Sequence, residues 1–166
     1  MFQNFTIMKK KFTHIGEKNH PKMVNVGDKK VTNRVATAKA MMFLGSEIIA
    51  NFEDKELVTK KGSVFQTAII AGIQAVKKTS ELIPMCHPLL INGVDIDIEI
   101  TDKENIEIVC TVSIEGKTGV EMEALTGATI AALTVYDMCK SISQKMVIKE
   151  VKLVKKSGGK SDIKNE

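Results

Sequence analysis

The sequence predicts an α+β domain in which an antiparallel sheet carries its helices on one face. Three patterns point to it. Val94, Ile96, Ile98 and Ile100 alternate with Asp95, Asp97 and Glu99. Ile106, Ile108, Cys110, Val112 and Ile114 alternate with Glu107, Val109, Thr111 and Ser113. A period of two marks strands with one buried and one wet face, and the five-residue link TDKEN suits an antiparallel hairpin. Two runs of thirteen residues without a charge, Val64–Val76 and Ala124–Tyr136, supply the helices.

In chain order, residues 1–22 are polar and lysine-rich, reach Pro21, and read as a flexible arm. A single domain then spans 23–156. Val31 to Phe43 carries β-branched and apolar residues fit for an early strand. Ser46 offers an N-cap for a short helix to about Phe52, and the charged stretch Glu53 to Lys61 reads as an exposed connection. Ser63 and Gln66 form a capping box ahead of the first long helix. Lys77 and Lys78 complement the dipole at its end, and it must stop before Pro84. The loop IPMCHPLLING leads into the hairpin, the second long helix follows, and Met146 to Val154 is the last strand. Residues 157–166 read as a mobile, glycine-containing tail.

With 166 residues, 43% apolar and 27% charged, the chain is an ordinary globular domain large enough for a real core. Its net charge of +4 comes almost wholly from lysine, Arg34 being the only arginine. Lysine partners phosphate as a point charge, whereas base reading favours arginine. Aromatic residues are 4% and tryptophan is absent, so stacking platforms for single strands are scarce. A phosphorylated small molecule fits better than nucleic acid. Cys86, Cys110 and Cys139 lack CxxC spacing, and His14, His20 and His87 lack ligand spacing. No metal site is expected, and a reducing compartment is. The N-terminus has no secretory h-region; its lysines and lack of acids leave a transit peptide open, though the arginine enrichment of one is missing, and the cytoplasm is the default expectation.

The candidate chemistry clusters at the ends of the charge-free helix. Ionisable groups flanking a buried rod are costly unless paired or working. Asp137 and Lys140 are helical neighbours at i, i+3, either a plain ion pair or an acid–base pair with a partly desolvated lysine that loses its proton readily. Glu121 and Glu123 are either first-turn acids, Thr118-x-x-Glu121 forming a capping box, or part of a site. Cys86-His87 lies between Pro84 and Pro88. Adjacent residues on an extended chain point apart, so a thiolate–imidazole pair is disfavoured against a phosphate- or base-donating histidine or an inert one. Lys61 precedes Gly62 and Ser63, where a helix N-terminus could hold phosphate beside it, or it is an ordinary surface lysine. GGKS at Gly158–Ser161 is not a P-loop, since Val154 stands where the earlier glycine belongs.

The words IAGIQAVKKTSELIPMCHPL, GKTGVEMEALTGATIAALTVYDMCK and KSGGKSD closely resemble the cyclic pyranopterin monophosphate synthase family, molybdenum cofactor biosynthesis protein C. The resemblance runs from about His14 to Asp162. Residues 1–7 have no counterpart, making Met8 a candidate start. It implies a ferredoxin-like α+β fold and a hexamer built from dimers with active sites at subunit interfaces. It also implies a lyase that converts (8S)-3′,8-cyclo-7,8-dihydroguanosine 5′-triphosphate to cyclic pyranopterin monophosphate and pyrophosphate. By the same resemblance, Asp137 is similar to the family's catalytic aspartate with Lys140 beside it as a general acid–base, and Lys61 matches the family's lysine before a glycine, which would share the proton transfers or bind phosphate. Met85, Cys86 and His87 match one substrate-binding segment, and Met122 and Glu123, with Glu121 beside them, another. Lys156 and Arg34 fall on basic positions that would contact the triphosphate. No cofactor is implied beyond a magnesium ion accompanying the triphosphate. Ser63 replaces an acid often seen after the glycine, and Gly127 in TGATIAAL is expected only to loosen its helix by ~1 kcal/mol. The alternatives are a non-catalytic basic module binding nucleotide or nucleic acid, which gives no reason for Asp137 beside Lys140, and a nucleotide cyclohydrolase of related fold, against whose metal-dependent version the missing Cys/His ligand spacing argues.

Overall fold

The computed structural model describes residues 20–54 and 56–165. The arm expected over 1–22 therefore lies, as far as residue 19, outside the described residues. The main elements are β1 (Thr32–Phe43), α1 (Ser46–Ile49), β2 (Val58–Thr59), β3 (Gly62–Ser63), α2 (Val64–Lys77) and α3 (Thr79–Leu82). They continue with β4 (Gly93–Ile100), β5 (Asn105–Gly116), α4 (Glu121–Cys139), β6 (Val147–Ser157) and β7 (Ile163–Lys164). One sheet has the order β4-β5-β1-β6-β7, antiparallel throughout. Two β–α–β units interleaved in this order make the ferredoxin-like α+β fold.

The alternation in β4 and β5 holds: Ile96, Ile98, Ile106, Ile108, Cys110, Val112 and Ile114 are buried beneath the helices. On the other face Lys39 grips both oxygens of Glu107 at 2.9 Å, a pair in contact with water. Asp102 closes the TDKEN link by accepting from the backbone N–H groups of Glu104 and Asn105 at 2.8 and 2.9 Å. The central strand β1 contributes Ala36, Ala38, Ala40 and Met42 to the core. Three alanines there let α4 lie close on the sheet.

Helix–helix packing corrects one expectation. A Cβ on Gly127 would stand 2.6 Å from Cys110 Sγ and 2.7 Å from Val76 Cγ2, and one on Gly72 would stand 3.0 Å from the Gly127 carbonyl. Gly127 is where α2, α4 and the sheet meet, so its cost in helix propensity secures a close approach. Gly127→Ala is expected to lower the urea midpoint, overpacking at ~1–3 kcal/mol outweighing the propensity gain. A raised midpoint would show that the helices separate freely.

The caps also differ from expectation. Gly45, with φ 85°, occupies the N-cap of α1, which ends at Ile49 rather than Phe52. Ser63 makes no cap bond. It donates to Glu56 Oε2 at 2.6 Å, while Glu56 Oε1 accepts from the N–H of Phe65 at 3.0 Å and of Leu57 at 2.8 Å. A charged carboxylate caps α2 better than a hydroxyl. Partial burial works against ionising Glu56, but Ser63 and the backbone donors outweigh it and hold its pKa below the usual value. The connection Glu53 to Lys61 is thus partly ordered, with Leu57 buried and β2–β3 a small hairpin. The capping box at Thr118 does not form, since α4 starts at Glu121 with Val120 as N-cap. Residues after Ser157 return to the sheet: β7 pairs with Lys155 and Lys156, and Asn165 donates to the Val154 carbonyl at 2.7 Å.

Candidate functional site

Two groups of polar residues sit at opposite ends of α4. At the N-terminal end, strand geometry sets up a cation pocket. Arg34 pairs with Ile114 across β1–β5, and Lys156 pairs with Ala36 across β1–β6. Directly paired residues share a sheet face. Both cations therefore continue the buried stripe just past the edge of the core, beneath the start of α4. An irregularity in β6 between the partners of Thr37 and Ala38 re-aims the strand there. Arg34 Nε is anchored to the Gly116 carbonyl at 3.0 Å. Gly158, at φ 80°, passes so close to Asn33 that only glycine fits.

A cleft of about 350 Å³ lies between the 85–89 loop and the start of α4, lined by Met85, Cys86, His87, Met122 and Glu123 with Val24 and Val26. A second, of about 390 Å³, is lined by Arg34, Lys156, Gly159 and Ser161. Lys29, Thr118, Gly119, Glu121 and Lys160 line both, which makes them one trough, apolar at one end and cationic at the other.

The surroundings of several groups in and near the trough bear on their chemistry. His87 Nε2 lies 2.8 Å from the Val24 carbonyl, which can only accept, so Nε2 carries the proton and Nδ1 is an acceptor in the neutral ring. Glu123 is 4% exposed. Burial, then the neighbouring Glu121 charge, raises its pKa. Burial and the Glu123 charge likewise raise that of Cys86, which disfavours its thiolate. Cys110 and Cys139 are buried, with pKa pushed up to about 12 and about 11. Lys156 is paired with Glu121 at 3.0 Å.

The C-terminal end of α4 holds the other group. Asp137 stands in the last turn, where the helix dipole disfavours a carboxylate. Two lysines answer it: Lys140 Nζ lies 2.7 Å from Oδ1, and Lys61 Nζ lies 2.7 Å from Oδ2. Lys61 also donates to the Asp137 carbonyl at 3.1 Å from the tip of the β2–β3 hairpin. It therefore serves α4, and the N-terminus of α2, where Lys61 could have stood beside a phosphate, is occupied by Glu56. The side chains of Lys61, Asp137 and Lys140 are half exposed, at 51–53%. Hydrogen bonds from Lys140, then Lys61, bring Asp137 down to a pKa of about 2. The bond to Asp137 raises Lys140, which fits the ion-pair alternative rather than a readily deprotonated lysine.

The linkage signs follow. Asp137, lowered on folding, contributes stability that is present above its unfolded pKa of ~4 and lost as pH falls toward 2. Lys140, raised on folding, contributes stability that is present below its unfolded pKa of ~10.4 and lost as pH rises beyond it. A carbon-13 titration of Asp137 is expected to show no step between pH 7 and ~3, and Lys140→Met should move the midpoint up. An ordinary midpoint near 4 in the intact protein would break the triad assignment.

Along α4, Glu121 and Asp137 are about 24 Å apart at 1.5 Å per residue. The structure brings Arg34, Met85, Cys86, His87, Glu121, Met122, Glu123 and Lys156 around one trough and leaves Lys61, Asp137 and Lys140 apart from it. Sequence reasoning missed Lys29 and Lys160. The first carries no local pattern, and the second lay inside the GGKS run dismissed as a P-loop. The outward side of α4 is also apolar, with Met122 39% and Leu133 52% exposed, while Ala124, Ala128, Ala131, Ala132 and Val135 are buried. Among the described residues no three His, Cys, Asp or Glu gather to hold a metal ion.

A family model described as the MoaC family matches residues 23–159. The chain is 51% identical over 152 residues to a cyclic pyranopterin monophosphate synthase of Campylobacter jejuni (strain 81-176), covering 91% of this chain and 96% of that protein. It is 51% identical over 150 residues to the protein of the same name from Helicobacter pylori, covering 90% and 94%. A molybdenum cofactor biosynthesis protein 1 from Dictyostelium discoideum is 45% identical over 167 residues, a match to 90% of this chain and 26% of that longer protein.

Proposed function

The chain belongs to the MoaC family, and on that premise we propose that it is the lyase of molybdenum cofactor biosynthesis that converts (8S)-3′,8-cyclo-7,8-dihydroguanosine 5′-triphosphate to cyclic pyranopterin monophosphate. Pyrophosphate is the second product. The observation that carries the substrate class is the polarity of the trough, apolar beside Met85 and Met122, with Arg34 and Lys156 at the far end and Lys29 and Lys160 lining both parts. A flat heterocycle with a triphosphate at one end matches it.

In this reading Met85, Cys86, His87, Met122 and Glu123 hold the base, and Arg34 and Lys156, with Lys29 and Lys160, hold the phosphates. Asp137 stays ionised and fixes two ammonium groups at one point. Opening the purine ring needs a proton on the departing nitrogen, which an ammonium of Lys61 or Lys140 gives. The amine so formed then accepts the proton of the substrate hydroxyl that attacks the α-phosphorus. The bond to the β-phosphate oxygen breaks, pyrophosphate leaves, and cations stabilise its charge. No electrons are transferred. Any magnesium ion enters as the counter-ion of the triphosphate.

A nucleotide whose base occupies the trough cannot reach an Asp137 about 24 Å away on the same helix. The site is therefore completed by a second copy, whose Lys61–Asp137–Lys140 cluster meets this trough. The exposed apolar residues of α4, Met122 and Leu133 among them, supply contact surface. A trimer of dimers, as the resemblance implies, provides that arrangement. We place the enzyme in the cytoplasm, in keeping with three free thiols. No described helix is long and apolar enough to cross a membrane.

The test is to incubate the purified protein with the cyclised dihydro-GTP and follow pyrophosphate and the pyranopterin product together. Joint appearance supports the reading. A folded protein yielding neither would leave only the family and its fold.

A further inference from the structure

The cation pocket contains one acidic residue, and it points inward. Among the residues lining the 390 Å³ space, Arg34, Lys29, Lys156 and Lys160 are cationic and Glu121 alone is anionic. A carboxylate there repels a triphosphate. Its position in the first turn of α4 suits the helix dipole, but that would be met equally with the side chain turned to solvent. Instead the side chain folds back over Gly119, where an added Cβ would overlap its carboxylate. It places Oε1 3.0 Å from Lys156 Nζ, a contact of the kind a phosphate oxygen makes with an ammonium. The two side chains are only 30% and 26% exposed.

Resting on the reading just given, we propose that Glu121 is a stand-in for phosphate, holding Lys156 when no anion is bound and competing with pyrophosphate for it after bond cleavage. The competition is asymmetric. A triphosphate arrives tethered to a base held by the other end of the trough, and so displaces the carboxylate at high effective concentration. Once the bond to the α-phosphorus is broken, pyrophosphate loses that tether. The carboxylate, joined to α4, keeps its own and returns to Lys156. Glu121 thus acts through Lys156 as a positioning residue that favours product departure.

The experiment measures inorganic pyrophosphate binding to the intact oligomer by calorimetry, for the wild type, Glu121→Gln and Glu121→Ala. Folding is checked first by circular dichroism. Alanine is the stronger helix former, so at least one variant has no propensity penalty. Both variants are expected to bind pyrophosphate about tenfold tighter or more, because a like charge has left the pocket. Turnover should then begin with a burst and slow at steady state. Loss of a merely structural ion pair would weaken binding, and unchanged or weaker affinity in the variants overturns the proposal. The assay uses no nucleotide. Tighter binding by variants of a protein that fails to turn over the cyclised nucleotide would support the stand-in while sinking the reaction. Turnover without tighter binding would do the reverse.

Discussion

Asp137→Asn is expected to lower turnover by roughly 10²–10⁴ while the protein stays folded. The carboxylate is 2.7 Å from each of two ammonium groups. Asparagine keeps the shape but loses the charge, so the two cations repel and separate. Lys140 also loses the bond that raises its pKa. Fold should survive because all three side chains are half exposed, where ion pairs contribute little. Lys61→Ala and Lys140→Ala should each give a comparable loss. Because the three act as a unit, the double variant should cost little more than either single one. Pyrophosphate release measured beside a thermal melt decides it. Turnover unchanged in Asp137→Asn and Lys140→Ala would remove this cluster from the reaction.

Mixing two inactive variants should restore activity. Lys156→Ala together with Arg34→Ala disables the trough but leaves the Asp137 cluster whole, and Asp137→Asn does the opposite. If each site joins the trough of one copy to the cluster of another, random reassembly at equal ratio makes about a quarter of the sites wild type. Starting from a residue of activity, that is a very large gain. It should appear only after dissociation and reassociation, and scale with the fraction of mixed oligomer. Mixed oligomers with no gain would confine the site to one chain.

The hairpin and both long helices were legible because their periods are long and uninterrupted. Short-range capping was not. Ser63 and Thr118 have the right sequence spacing, yet the cap of α2 is Glu56, brought in by a turn that spacing cannot describe. Gly127 was misjudged for the same reason, since its neighbours Cys110 and Val76 come from other elements. The resemblance located the motif residues of the trough. It took the crossing of β1, β6 and the 117–120 turn to gather Lys29, Arg34, Lys156 and Lys160. Spacing left Asp137 and Lys140 open between a plain ion pair and a partly desolvated acid–base pair, and the ion pair is what forms, because the helix ends in water.

Helix α4 also works as a gauge. It is unbroken from Glu121 to Cys139, and its two ends carry the trough and the lysine-held carboxylate. Its middle can exchange one small apolar residue for another within the packing limits at Gly127, but its length cannot change. Deleting a single residue between Ala124 and Tyr136 would turn Asp137 by about 100° about the axis and draw it 1.5 Å closer. Lys61, fixed on a separate hairpin, could not follow. A substitution in this segment therefore leaves the spacing of the two ends intact, whereas an insertion or deletion destroys it.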